Sequence, residues 1–501
     1  MSYILTLDVG TTSVKTCIFN EVFKLLGYSC SEYTLLTQGN NMVELDSEVY
    51  WETSKYGIKK AIEASSINAK DIGSITITSQ GETLIPVDEF GKPLRNAIVW
   101  LDARAEEEAE FIRRGFSSKE IYETTGIPEI SSACPVCKVL WIKDKEPEIY
   151  EKTYRFMLLE DLLIQKITGR FVTEKCLMSS TGYFDINQGV LWKKILSYAG
   201  INVDKFPEIM DCGKVVGKIL PDVAENLCIN SGLVVTTGAM DQAASAIGAG
   251  NIDIGVVTET TGTALVVAAT VDVPDYSNTA MLNIMRHGIE GKFLILPYNQ
   301  TSGIILKWFK DEFCWNEIEM CNLCGKSVYD CLDELAAGVS ALSNGLLLLP
   351  HFAGMLTPEI NPSVKGVFFG VGLDTKKPHF IRSILEGIAY MLKQNLDMLE
   401  DMGIEVKEIR SLGGGSKSGL WSQIKADVNN CNIQIMEQEE STSLGAAILG
   451  SMAMGIYNSF MEACMVVRVK KSFKPDNQIT DAYSQGYEKY MKLYECLKSL
   501  F

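Results

Sequence analysis

Two stretches of this chain repeat one pattern: an apolar strand, a turn rich in Gly and Thr, and a returning apolar strand. The first covers residues 3–19, YILTLDVGTTSVKTCIF, and the second covers residues 256–267, VVTETTGTALVV. Hydroxyls and backbone N–H groups crowded into a tight turn suit a phosphate, which needs several donors and close backbone approach. A single turn of this type is ordinary hairpin chemistry. The repeat, with one hairpin opening each half of the chain, favours phosphate binding.

A carboxylate precedes the second turn by about twenty residues. Asp241 and Gln242 lead into residues 243–250, a run rich in Ala, Ser and Gly that allows close backbone approach. We interpret Asp241 as a candidate base close to the second Gly- and Thr-rich turn, which is a candidate phosphate site.

A third Gly-rich segment, residues 413–418 (GGGSKS), follows a predicted strand and enters a predicted helix. A Gly-rich loop at a helix N-terminus is suited to an anion or a nucleotide. Two common nucleotide motifs are excluded. Gly325-Lys326-Ser327 resembles the end of a Walker A loop, but Met320 stands where its first Gly is required, and no strand leads into a full G-x-G-x-x-G.

The net charge of −17 and the sequence pI near 4.9 argue against nucleic acid or an anionic membrane as partner. A polyphosphate ligand would therefore need backbone N–H groups, hydroxyls and a divalent cation to balance its charge. The apolar runs are no longer than strands, and no secretory leader pattern opens the chain. We expect a cytoplasmic protein of two or more domains.

Fourteen cysteines include a cluster, Cys314, Cys321, Cys324 and Cys331, with spacing x6, x2, x6. Four thiols could hold zinc, but the strong signal would be two x2 pairs. Cys331 also lies on the apolar face of a predicted helix. The sequence favours reduced thiols over a metal site.

Polar residues also follow two predicted strands in the first half of the chain. Gln80, Gly81 and Glu82 follow residues 75–79, and Trp100, Asp102 and Arg104 end an apolar run that begins at residue 97. Open α/β sheets place their sites at such strand ends. The alternative interpretation makes Asp102 and Arg104 charges at the N-terminus of the helix that follows.

Four tyrosines near the C-terminus repeat at helical spacing: Tyr483, Tyr487, Tyr490 and Tyr494. The stripe predicts a helix packed on the body of the protein. The alternative is a subunit interface in a homodimer.

With these features together, the chain resembles the FGGY carbohydrate kinases over nearly its whole length. The matching blocks, in the family's order, are DVGTTSVK, WLDAR, GAMDQ, TTGT, GVFFGVGLDTKKPHFIRSILE (residues 366–386) and GGGSKSGLWSQIKADV. Residues 366–386 are the most specific match, whereas residues 134–141 match the family's N-terminal signature only approximately.

The resemblance implies an α/β protein with the two-domain, actin-like (ribonuclease H-like) ATPase fold and a cleft between the domains. The implied limits are residues 1–250, with the sugar site, the first phosphate turn and the base, and residues 251–501, with the second phosphate turn and the adenosine site. It implies that ATP, with Mg²⁺, phosphorylates a hydroxyl of a sugar or polyol.

The resemblance also implies roles for single residues. Asp241 matches the general base and Asp8 the residue that holds magnesium through water. The substrate would be bound by Gln80, Gly81, Glu82, Trp100, Asp102, Arg104 and Gln242. ATP would be bound by Gly10, Thr11, Thr12, Thr261, Gly262, Thr263, Gly414, Gly415 and Ser416.

Substrate choice follows from departures within the family pattern. Glycerol kinases carry Arg-Glu where this chain has Gly81-Glu82, and a Tyr where Ala133 aligns, so glycerol is disfavoured. Trp100-x-Asp102-x-Arg104 is similar to the pentulose and gluconate branches. We expect a ketopentose such as xylulose, with gluconate, fuculose, ribulose, erythritol and glycerol as alternatives. A sugar or nucleotide sensor without catalysis is the alternative of a different class.

Overall fold

The computed structural model describes residues 3–39, 41–277 and 282–501. Its β-strands, in chain order, are β1 (Tyr3–Val9), β2 (Ser13–Phe19), β3 (Leu25–Glu32), β4 (Leu36–Gln38), β5 (Met42–Leu45), β6 (Ile72–Ser79), β7 (Ile85–Val87), β8 (Ala97–Ile98), β9 (Arg155–Met157), β10 (Val172–Glu174), β11 (Phe184–Asp185), β12 (Val190–Leu191), β13 (Glu208–Met210), β14 (Val215–Lys218), β15 (Val234–Thr237), β16 (Val256–Thr261), β17 (Leu265–Val271), β18 (Asn283–Arg286), β19 (Phe293–Leu296), β20 (Tyr298–Asn299), β21 (Leu347–Leu349), β22 (Val367–Phe369), β23 (Glu408–Leu412), β24 (Asn432–Met436) and β25 (Val469–Phe473).

Its α-helices, in chain order, are α1 (Ser47–Ser65), α2 (Glu106–Gly115), α3 (Ser118–Thr125), α4 (Pro135–Lys145), α5 (Pro147–Lys152), α6 (Leu159–Thr168), α7 (Lys175–Met178), α8 (Lys193–Tyr198), α9 (Pro221–Leu227), α10 (Asp241–Gly248), α11 (Gly303–Phe313), α12 (Trp315–Cys324), α13 (Val328–Ala337), α14 (Lys377–Asp401), α15 (Gly419–Asn429), α16 (Ser441–Ala453), α17 (Phe460–Cys464) and α18 (Asn477–Leu497). A 3₁₀ turn, Gly414–Lys417, precedes α15.

The first sheet has the strand order β14-β15-β6-β1-β2-β3. Strands β15, β6 and β1 run parallel, whereas β14, β2 and β3 pair antiparallel with their neighbours. Residues 4–9 of β1 are all buried, because helices cover both faces of the sheet. Leu5 and Leu7 pack with α1 and α6, and Ile4 packs with α10 and α16 on the opposite face.

The second sheet repeats this arrangement. Its order is β18-β19-β17-β16-β23-β24-β25, with β16, β23 and β24 parallel and the outer strands antiparallel. The hairpin β16–β17 stands where β1–β2 stands in the first sheet, and β23 and β24 stand where β6 and β15 do. The internal repeat predicted from the two Gly/Thr hairpins is therefore confirmed at the level of strand pairing.

Helices α10 and α16 join the two halves of the molecule. A Cβ at Gly248 would overlap the Ser441 carbonyl oxygen, and a Cβ at Gly445 would overlap the Ala244 carbonyl oxygen, so the two backbones touch. Although α16 lies in the second half of the sequence, it packs on β1 and β6 of the first sheet. The limits 1–250 and 251–501 stay a prediction.

The C-terminal tyrosine stripe lies on α18, where Tyr483, Tyr490 and Tyr494 are buried. The prediction of packing on the body of the protein is confirmed, since Tyr483 bonds to Glu386 and Arg382 of α14. All fourteen cysteines are free thiols. Cys314 and Cys321 are buried as small apolar side chains.

Candidate active site

The predicted acceptor residues lie at the carboxyl ends of the parallel strands of the first sheet. Asp8 is next to the last residue of β1, Gln80 directly follows β6, and Asp241 begins α10 shortly after β15. Parallel strands bring these ends to the same edge of the sheet, where open α/β sheets place their sites. The Gln80 N–H donates to the Val9 carbonyl at 3.0 Å, which ties two of the strand ends together.

Two aspartates at this edge share one electrostatic environment. Burial raises the pKa of Asp8 to about 7, and the nearby charge of Asp241 adds to the rise. Desolvation also raises the pKa of Asp241 to about 7, while a hydrogen bond from the Gln242 backbone opposes the rise and the charge of Glu82 adds to it. A carboxylate of this pKa accepts a proton at neutral pH far better than one with the usual value near 3.9.

Glu82 is held in an unusual backbone conformation beside these aspartates. Its φ of 51° lies in the left-handed region, which residues other than Gly rarely adopt. The buried Lys138 ammonium donates to the Glu82 carbonyl at 3.0 Å and to the Val99 carbonyl at 2.9 Å. Burial raises the pKa of the Glu82 carboxyl and lowers the pKa of Lys138. Lys138 thus fixes both segments that carry predicted sugar-binding residues.

Trp100 connects the predicted sugar site to the first phosphate turn. Its indole N–H donates to Thr11 Oγ1 at 2.9 Å. In the same turn, the Gly10 N–H bonds to the Ser13 carbonyl, and Thr12 is exposed. Gly81 leaves room for the residue before the candidate base, because a Cβ there would lie 3.1 Å from Met240 Sδ.

Asp102 and Arg104 are brought together as a buried pair. The Asp102 carboxylate accepts from the Val43 N–H at 2.6 Å and from Arg104 Nε at 2.9 Å and Nη2 at 2.7 Å. Arg104 also pairs with Glu44 and lies over the Trp141 ring. Both oxygens of Asp102 are engaged by the protein itself. This geometry favours a role in fixing the loop after Trp100 over direct contact with a ligand.

The predicted second phosphate turn and the Gly-rich loop are in direct contact. Thr261, at the end of β16, is buried, whereas Thr263 is exposed at the tip of the turn. A Cβ at Gly415 would lie 2.5 Å from Thr261 Cγ2, so only Gly lets the loop approach this closely. The loop also leads into α15, whose first turn is capped by Ser418.

A cavity of about 790 Å³ opens beside this loop. Its lining includes Gly413, Gly414, Ser416 and Lys417 from the loop, residues 435, 436 and 438–440 in and after β24, and Lys15 from the first sheet. Lys15 Nζ pairs with Glu440 Oε2 at 2.7 Å, so the cavity lies where the two halves of the molecule meet. Its volume is in the range of ligand sites for nucleotide-sized molecules.

The family model described as "FGGY family of carbohydrate kinases, N-terminal domain" matches residues 3–248, and that described as the C-terminal domain of the same family matches residues 260–454. Together they cover most of the chain. The chain belongs to the FGGY family of carbohydrate kinases. It is therefore a sugar kinase that uses ATP as phosphoryl donor, and the predictions of family and enzyme class are confirmed.

Individual relatives of this FGGY kinase span its whole length. It is 28% identical to "Xylulose kinase" of Bacillus subtilis (strain 168) over 100% of the chain and 98% of that protein. It is 31% identical to "Gluconokinase" of the same organism over 92% of the chain and 89% of that protein. The crystal structure of ligand-bound xylulose kinase from Lactobacillus acidophilus superposes with a TM-score of 0.90 at 23% identity, covering 99% of both chains. That likeness confirms the two-domain actin-like fold.

Sequence reasoning missed two lysines of the FGGY kinase that the structure places at the site. Lys138 lies inside the apolar segment PVCKVLWI of α4, where a charged residue was a visible signal. Lys15 sits in the quoted block DVGTTSVK, but its contact with Glu440 joins residues 425 positions apart. Neither the Lys138 contacts with backbone carbonyls nor the Lys15 contact with Glu440 follows from spacing along the chain.

In the described part of this FGGY kinase, no helix is both long and apolar enough to span a membrane.

Proposed function

We propose that this kinase transfers the γ-phosphoryl group of ATP to a terminal hydroxyl of a ketopentose such as xylulose. The observation that carries the proposal is the position of Asp241. Its half-buried carboxyl begins α10, beside Asp8 and Glu82, with a pKa of about 7. Phosphoryl transfer needs alignment, charge compensation and a base near the attacking hydroxyl.

The proposed site residues lie at the ends of strands in both sheets. Asp241 accepts the proton of the attacking hydroxyl, and Gln80, Gly81, Glu82, Trp100 and Gln242 orient the sugar, with Asp102 and Arg104 supporting the loop. Gly10, Thr11 and Thr12 bind the phosphates from one side and Thr261, Gly262 and Thr263 from the other. Gly414, Gly415 and Ser416 lie against the adenosine in the cavity beside β24.

Asp8 fits a magnesium site, because Mg²⁺ prefers hard oxygen ligands and keeps several waters while it binds phosphates. Among the described residues, no group of three or more His, Cys, Asp or Glu side chains is arranged to hold a metal by itself. Asp8 would hold the ion through water, and the ion would offset the charge of the β- and γ-phosphates.

A neutral sugar fits the acceptor edge better than a sugar acid. The cations nearby are already engaged: Lys138 with two backbone carbonyls, Arg104 with Asp102 and Glu44, and Lys15 with Glu440. The charge of Asp241 already raises the pKa of Asp8, and the charge of Glu82 raises the pKa of Asp241, so a substrate carboxylate would meet further negative charge there. We therefore favour a ketopentose over gluconate.

The test is ADP release by the purified protein with ATP and Mg²⁺ against D- and L-xylulose, ribulose, fuculose, gluconate, erythritol and glycerol. We expect turnover with a ketopentose to exceed the rest. Preference for gluconate would overturn the assignment of the substrate. If the protein binds ATP but releases no ADP with any member of the panel, the result would favour the alternative of a sensor without catalysis. The cytoplasmic location and the homodimer stay predictions, and sedimentation would decide the second.

A further inference from the structure

A fully buried ion pair lies directly beneath the second phosphate turn. Lys425, in α15, contacts Glu259, in β16, with Nζ 2.6 Å from Oε1, and neither side chain is exposed. Lys425 also lies over the Trp421 ring, 5.0 Å from its centroid, and Ser411 of β23 donates to the same Glu259 oxygen. The pair therefore links three elements of the second half: α15, β16 and β23.

The two charges meet on one hydroxyl of the turn. Thr261 Oγ1 donates to Glu259 Oε2 at 2.7 Å and accepts from Lys425 Nζ at 2.8 Å. Two opposed, charge-assisted hydrogen bonds fix both the rotamer of Thr261 and the direction of its hydroxyl. With its hydroxyl held inward, the Thr261 side chain forms the base of the turn.

Thr261 in turn supports the Gly-rich loop on its other side. Ideal Cβ positions at Gly413 and Gly415 would lie 2.8 Å from the Thr261 carbonyl oxygen and 2.5 Å from its Cγ2. The loop is continuous with α15, which carries Lys425 six positions after Gly419 begins the helix. One threonine thus touches both segments assigned to ATP, and one ion pair holds it.

A structural purpose alone does not account for a charged pair at this depth. Moving two charges out of water costs several kcal/mol per ion, and replacing such pairs with apolar residues is often neutral or stabilising. What the pair does supply is direction, which apolar packing does not give to a hydroxyl. We propose that Lys425 and Glu259 are positioning residues for ATP, acting through Thr261 to hold the phosphate turn and the Gly-rich loop in register.

This inference rests on the proposed function for the identity of the turn, so its test measures nucleotide binding directly. The first variant replaces both charges, Glu259→Leu with Lys425→Met, and the second removes only the hydroxyl, Thr261→Val. We expect each to raise the Kd for ATP, measured by calorimetry without sugar, about ten-fold, the size of a typical network coupling. Adding Thr261→Val to the double replacement should raise the Kd little further, and Thr261→Ser should restore wild-type affinity.

The matched control is a second buried ion pair among the described residues of this half, Arg382 with Glu386, whose Nε and Oε1 lie 2.9 Å apart on α14. Arg382→Met with Glu386→Leu should lower the melting temperature and leave the Kd for ATP unchanged. An unchanged Kd in folded Thr261→Val, or an equal rise in the control, would overturn the positioning role. If the double replacement fails to fold, Thr261→Val and Thr261→Ser still decide the question.

The outcomes separate the two proposals. If wild-type protein binds ATP but phosphorylates none of the sugars, the proposed function fails, and the ATP affinities of the variants still decide the role of the pair. If the kinase is active and the Kd for ATP does not respond to Thr261→Val, the proposed function stands and the positioning role falls.

Discussion

The two sheets share one strand arrangement, but the segments at their equivalent edges differ: one edge carries carboxyl groups and the other a Gly-rich loop. At the end of the first sheet, the charge of Asp241 raises the pKa of Asp8, and the charge of Glu82 raises the pKa of Asp241, beyond the effect of burial. At the end of the second, the Gly-rich loop and Lys417 line a cavity of about 790 Å³. The strands position the ends, and the segments that follow them decide the chemistry.

The edges also differ in how their charges are satisfied. Glu259 and Lys425 under the second edge are buried and paired with each other, so that edge is set before a ligand arrives. At the first edge, the charge of Asp241 raises the pKa of Asp8 and that of Glu82 raises the pKa of Asp241, so this edge favours a cation nearby. The comparison predicts that substitutions at the first edge affect chemistry, whereas those at the second affect nucleotide affinity.

The largest effect should come from the first edge. Asp241→Asn removes the proton acceptor and keeps its shape, and we expect kcat to fall about 10³-fold, within the range that general bases contribute. The Kd for ATP, measured by calorimetry, should stay unchanged. Asp161→Asn is the control, since desolvation also raises the pKa of that carboxyl to about 7, but it serves in α6, where it accepts from the Leu158 N–H. Retained turnover in Asp241→Asn would remove it as the base.

The pH profile tests the same edge without a large structural change. Asp241, with a pKa of about 7, is protonated and unable to accept a proton at lower pH. We expect kcat/KM to fall about ten-fold per pH unit below that value and to level off above it. Glu82→Gln removes a charge that raises the pKa of Asp241, so the falling limb should move to lower pH. A limb that stays in place would mean that Glu82 does not act on Asp241.

The contact between the halves should be sensitive to a single methyl group. In Gly445→Ala the new Cβ would overlap the Ala244 carbonyl oxygen where α16 crosses α10. We expect the free energy of unfolding to fall by about 2 kcal/mol, as for other overpacked contacts. Gly217→Ala, whose Cβ meets nothing within 4 Å, is the control. Equal stability of the two variants in denaturant titration would contradict the tight crossing.

The smallest effect should come from the hydrogen bond that joins the proposed sugar site to the proposed first phosphate turn. Trp100→Phe keeps an aromatic ring and loses the donor to Thr11. We expect kcat/KM for the sugar to fall about five-fold, the value of one hydrogen bond. Trp315→Phe, at an exposed position of α12, is the control and should leave kcat/KM for the sugar unchanged. An unchanged kcat/KM in Trp100→Phe would mean that the hydrogen bond to Thr11 does not couple the sugar site to the first phosphate turn.

Local sequence pattern was sufficient to predict these secondary-structure elements and turns. The two hairpins, the Gly-rich entry to α15 and the tyrosine stripe of α18 all follow from periodicity and turn chemistry, which act over a few residues. The placement of Asp102 could not be read the same way. Both a ligand and a helix N-terminal charge fit its sequence, and only the contacts with Val43 and Arg104 show that its oxygens are engaged.

The sequence by itself determined the strands, the repeated hairpins, the order of the motif blocks and through them the family, because these depend on neighbours along the chain. The tertiary structure decided which charges meet. Lys15 contacts Glu440, Lys138 holds the Glu82 carbonyl, and Lys425 holds Thr261, across separations from 56 to 425 residues. Contacts at such separations are set by how the two halves pack, and hydrophobic pattern specifies burial without naming the partner.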